Sequence, residues 1–97
     1  MTTTPGLFNF DNADYEANAL KTAIGMAEGL ARTICIARLL VENGRTVDMA
    51  GLDRGVGLLC AKALDLPPDS GRSLRPTLMM VLEEANGLTE AIQNQAA

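Results

Sequence analysis

Histidine and tryptophan are absent from this chain of 97 residues, and its aromatics amount to one Tyr and two Phe. Without imidazole there is no Ser-His or Cys-His pair, no Glu-x-x-His metal site and no imidazole pH switch. Cysteine is nearly absent as well. Cys35 and Cys60 stand far apart, each inside an apolar run, which fits neither a metal knuckle nor a redox pair, so both are expected as reduced, buried small residues. Positive charge is in short supply: 8 Lys and Arg face 12 Asp and Glu, for a net charge of −4. That balance argues against nucleic-acid binding through bulk electrostatics, because phosphate neutralisation needs a clustered surplus of cations. No apolar run approaches the ~20 residues needed to span a bilayer, so no membrane partner is expected. Met1 leads into Thr2, Thr3, Thr4, Pro5 and Gly6 without the basic segment and apolar core of a secretory leader, and the expected location is the cytoplasm.

What remains is 47% hydrophobic residues, most of them Leu, Ala, Ile, Val and Met, with 21% charged. This is too apolar for a disordered chain and too short for a second domain. The palette favours helices, and no alternating apolar stretch reads as a strand. The expected fold is all-α, a three-helix antiparallel bundle with one long N-terminal helix. A loose arm over residues 1–10 precedes a helical domain over 11–92, and residues 93–97 are expected to fray.

Two punctuation marks divide the helices, Asn43-Gly44 and Pro67-Pro68. The first helix is expected to start at Asp11 as cap, with a Phe10–Tyr15 staple, and to end at Asn43 or at Gly44 in a left-handed cap. That is roughly 32 residues, a rod about 48 Å long. The second starts at the cap Asp48 with a Val47–Leu52 staple and carries the seam Met49, Leu52, Val56, Leu59, Ala63, Leu66. The third carries Leu74, Leu78, Val81, Ala85, Leu88 and Ile92. Its expected start is a short turn from Asp69, with the main helix following near Pro76.

The first helix holds the most informative pattern. Ala19, Ala23, Ala27, Ala31 and Cys35 form one row at i+4 spacing, and Gly25, Gly29, Thr33 and Ala37 a second row about 200° around. Gly25, Gly29, Ala23 and Ala27 therefore predict close helix packing on two sides. Further along, Ile34, Ile36, Leu39, Leu40 and Val41 wrap apolar surface around the rod, interrupted by Arg38. Two shorter helices cannot cover all of it. A second copy related by a two-fold axis completes the cover in a six-helix assembly. The alternatives are a monomer with a docking face for another protein, and a first helix that breaks near Gly25 or Gly29 and folds back.

Candidate chemistry is thin. The carboxylates Glu42, Asp48, Asp53, Asp65, Asp69, Glu83 and Glu84 lack metal-loop spacing and read as solvated surface, so no metal or cofactor is expected. The run Gly51-Leu52-Asp53-Arg54-Gly55-Val56-Gly57 lacks the Lys and Ser/Thr of a phosphate-binding loop, and a tight contact with the first helix accounts for its glycines. Met26, Met49, Met79 and Met80 are expected in the core rather than along an adaptable groove. Phe8, Phe10 and Tyr15 are expected to staple the arm to the body, the alternative being a short docking peptide for a partner.

The expected function is a small, acidic, non-catalytic protein–protein interaction module, of the adaptor, regulatory-subunit or export-chaperone kind. Ile36, Leu39 and Leu40 are its expected anchors, and Arg32 and Arg38 set orientation at the rim. One competitor is a helix-turn-helix DNA-binding regulator reading through Arg72, Ser73 and Arg75. Another is a carrier of a small apolar ligand.

Overall fold

The computed structural model describes residues 3–96, with side chains described from Asp14 to Gln95. Three helices account for nearly all of it: α1 (Thr3–Glu42), α2 (Met49–Leu64) and α3 (Pro68–Ala96). No strand occurs among the described residues. The Cα trace measures 68 × 20 × 15 Å, a length set by α1, whose 40 residues at 1.5 Å each make a rod of about 60 Å.

The end of α1 follows the local sequence. Gly44 takes φ +79°, which a side chain would strain. Its N–H donates to the Val41 carbonyl at 2.9 Å, and the Arg45 N–H donates to the Leu40 carbonyl at 2.8 Å. These are the two bonds of a Schellman cap, and the Asn43 amide adds a third by donating to the Leu39 carbonyl at 2.7 Å. The start of α2 is equally local: Asp48 is extended, and its carboxylate accepts the Gly51 N–H at 3.1 Å. Val47 packs against the core beside buried Leu52.

Three boundaries differ from the sequence reading. α1 is already helical at Thr3, so Asp11 lies inside it and is not its cap. From Leu7 to Asn43 no residue except Gly25 and Gly29 costs a helix more than about 0.7 kcal/mol, so nothing forces a later start. The Phe8 and Phe10 side chains lie outside the described residues, and Tyr15 is exposed. α3 begins with Pro68 at its first position, where the missing N–H is harmless, and runs without interruption through Pro76. The hydrogen bond Pro76 cannot donate to Arg72 is offset by burial of Leu74 and Val81 on the same face. At its far end α3 continues past Ile92 to Ala96, because Gln93, Asn94 and Gln95 are tolerated in a helix.

The core is one face of α1 against the other two helices. Ala27, Ala31, Ile34, Ala37 and Val41 meet Leu52 and Leu59 of α2 and Val81, Leu88 and Ala91 of α3. Ala23 and Ala27 are fully enclosed, as the small-residue row requires. Contacts with α3 advance together along both helices: Met80 and Glu84 lie by Glu28 to Cys35, Gly87 by Arg38, and Gln95 by Gly44. Along α2, Leu52 is near Leu40, Gly55 touches Leu30, and Lys62 lies beside Asn18.

α2 is the loosely held element. Only Leu52 and Leu59 of its seam are buried, while Met49 and Val56 are exposed. Of its glycines, Gly55 alone meets α1, with Leu30 Cδ1 3.1 Å from where a Cβ would sit. Gly51 faces its own cap and Gly57 faces open space, so the tight contact expected of all three is made by one. Met49, Met79 and Met80 are exposed rather than core, and Met26 alone packs against it. Cys60 is exposed on α2 and Cys35 half-buried, both as free thiols. For Met49 and Cys60 the cause is that α2 offers one narrow stripe to α1, so its flanks stay in solvent; Met79 and Met80 lie outside the buried Leu74–Val81–Leu88 stripe of α3.

Candidate functional site

The two faces of α1 are built from different residues on one backbone. Turning about 200° from the Ala23–Ala27–Ala31 row brings Gly25, Gly29, Thr33, Ile36 and Leu40 to the outside. Ile36 is 58% exposed, Leu39 50% and Leu40 38%. In water these three side chains forgo about 1.5 to 3 kcal/mol each relative to full burial, scaled by the area they leave open.

The close approach expected at Gly25 and Gly29 is not made within the chain. A Cβ at Gly25 would meet nothing within 4 Å, and one at Gly29 only the Arg32 guanidinium at 3.9 Å. The reason is rotational, since α2 and α3 both pack on the alanine side. Nor does α1 break at either glycine; it is one helix throughout, which removes the folded-back alternative.

A groove of about 470 Å³ borders this outer face, between α1 and the start of α2. Leu30, Ile36 and Leu40 form one wall, Val47 and Leu52 the other, and Asp48 closes the end. The lining is apolar apart from Thr33 and Asp48, and the groove is open along its length. Met49, exposed at the first position of α2, extends the same apolar region.

The two rim arginines differ. Arg32 is exposed beside Glu28, Cys35, Met80 and Glu84. Arg38 lies across Gly87 of α3, its Nη1 only 2.6 Å from where a Cβ would be, and its Nε stands 4.0 Å from Glu42. That Nε–H is buried and donates to no acceptor, and Glu84 Oε1 is likewise buried and accepts from no donor. Gly87 thus serves as the seat for Arg38, a packing role that charge and spacing in the sequence did not signal. Arg38 is engaged between α1 and α3 and is not part of the outer rim.

The carboxylates remain dispersed. Among the described residues no group of three His, Cys, Asp or Glu is placed to hold a metal ion. Arg72 is ion-paired with Asp69, and the Ser73 hydroxyl donates to the Asp69 carbonyl at 3.2 Å, so both residues serve the first turns of α3. No helix among the described residues is long and apolar enough to cross a membrane.

No protein-family model, no curated protein and no solved structure matches this chain.

Proposed function

We propose that this chain is a non-catalytic protein–protein interaction module of the adaptor, regulatory-subunit or export-chaperone kind, working in the cytoplasm by burying the outer face of α1. In this reading the three helices form an antiparallel up-down-up bundle, and the working unit is a symmetric homodimer. The observation that carries it is the exposure of Ile36, Leu39 and Leu40 on a helix whose opposite face is closed by fully buried alanines. A helix apolar on both sides gains stability only when both sides are covered.

The groove beside Leu40 supports the same reading, since an apolar trough alongside a helix suits another helix laid into it at i, i+3, i+4 and i+7. Its volume also falls within the range of small-ligand sites, which favours an apolar-ligand carrier as the second reading. A trough open along its length encloses such a ligand poorly.

Light scattering of the full chain across micromolar to millimolar concentrations tests the proposal. The native chain is expected to run above 10 kDa and Leu39→Asp to run as a folded monomer with unchanged helix content. A native chain monomeric throughout, indifferent to Leu39→Asp in every binding assay, overturns it. Mass spectrometry of the chain under native conditions decides the carrier reading by the presence of a retained ligand.

A further inference from the structure

The outer face of α1 has one internal relation that points to its occupant. Gly25 and Gly29 are open sockets, with no side chain of the other helices over them. Ile36 and Leu40, on the same face, are knobs in solvent. The knobs and sockets are equally spaced, four residues apart in each pair, and they mirror one another about a point between Arg32 and Thr33. A second α1 laid in the opposite direction across that point sets Ile36 on Gly29 and Leu40 on Gly25, twice over by symmetry. Thr22 then falls opposite Asn43, closing each end with polar side chains.

The registers one turn away on either side do less well. A shift of four residues one way puts Leu40 opposite Lys21, and a shift of four the other way puts Ile36 opposite Thr33. A parallel pair sets Gly on Gly and Ile on Ile, leaving one end hollow and the other crowded. Gly25 and Gly29 lie one turn apart on the same face as exposed Ile36 and Leu40, so the small and the large positions of that face are available together.

We propose that α1 pairs with the α1 of a second copy running in the opposite direction, Ile36 seated on the partner's Gly29 and Leu40 on the partner's Gly25. The pairing rests on the reading of the outer face as an interaction surface and names its occupant and register. The interface is isologous: each chain contributes both sockets and both knobs, so two contacts form or fail together. Glycine in the sockets lets the two backbones approach more closely than side chains allow.

Disulfide trapping on the full chain, with Cys35→Ala and Cys60→Ala as background, tests the register. Gly29→Cys and Ile36→Cys chains are prepared separately and mixed under mild oxidation. The expected result is a covalent heterodimer in the mixture and none from either chain alone, because each position is displaced from its own copy by about 10 Å along the axis. Self-linked dimers from either chain, or an unlinked mixture that light scattering shows to be dimeric, overturn this register while leaving the interaction surface standing. A native chain that stays monomeric to millimolar concentration overturns the pairing itself.

A size exchange gives a second readout. Gly29→Leu has room within the subunit, so it is expected to fold, yet to weaken dimerisation at least 100-fold by filling the socket. Adding Ile36→Ala on the same chain is expected to recover at least 10-fold of that loss, since the new leucine then faces a small residue. Dimerisation unchanged by Gly29→Leu, or no recovery in the double variant, counts against the proposal.

Discussion

The inner and outer faces of α1 use nearly the same residue sizes to opposite ends. Inside, Ala23, Ala27 and Ala31 are small so that α2 and α3 can come close, and Ile34 and Val41 fill what remains. Outside, Gly25 and Gly29 are smaller still and Ile36 and Leu40 as large, yet nothing of the same chain lies against them. The contrast teaches that small residues on a helix mark where another backbone can approach, not whether it belongs to the same molecule. Both faces combine small residues with large ones, and only one of them is covered within the chain.

The largest expected effect lies on the inner side. Leu74 is fully enclosed, so Leu74→Ala is expected to cost about 2–5 kcal/mol, read as a lowered urea midpoint at unchanged slope. The outer counterpart separates the faces: Leu40→Asp is expected to raise the dimer dissociation constant 100-fold or more, about 3 kcal/mol, with the far-UV circular dichroism of the monomer intact. If Leu40→Asp instead unfolds the chain at all concentrations, the two faces belong to one core and the comparison fails.

Smaller effects test the local devices that hold α2 against α1. Asp48→Ala removes the acceptor for the Gly51 N–H and is expected to cost about 1 kcal/mol in thermal unfolding. Gly57→Ala, facing open space within a helix, is expected to stabilise by up to about 1 kcal/mol. Gly55→Ala is expected to gain less, because Leu30 Cδ1 must shift from 3.1 Å. Equal gains at the two positions would falsify the claim that Gly55 alone among the α2 glycines meets another helix.

How far the sequence could be read depended on the range of the forces involved. The Gly44 cap, the Asp48 cap and the stop at Pro67-Pro68 are each decided within about five residues, and all three were legible. The first-turn signal at Asp11 misled because a cap residue is also acceptable in a helix interior; Leu7 to Phe10 carry the helix on upstream of it, and Pro5 falls in the first turn, where a missing N–H is harmless. Pro76 was read as a boundary from its local chemistry, but Leu74 and Val81 bury across it and the helix continues. The exposure of Met49, Met79, Met80 and Cys60 was not legible either. Apolar residues beside a seam look alike in sequence whether or not a neighbour is wide enough to cover them.

For the candidate site, the string of Ile36, Leu39 and Leu40 marked the face, and the structure supplied its surroundings. Arg38 illustrates the limit. From spacing it belonged to the rim, but Gly87 of α3 gives it a seat that only the packing of two helices far apart in sequence creates.

The sequence by itself determined three helices, the two breaks between them at Asn43-Gly44 and Pro67-Pro68, and an excess of apolar circumference on the first, because hydrogen-bonded caps and 3.6-residue periodicity are local properties. The tertiary structure alone decided which side of that circumference was closed and which was left open. Burial depends on the angle at which α2 and α3 approach α1, and no local preference in any one helix sets that angle.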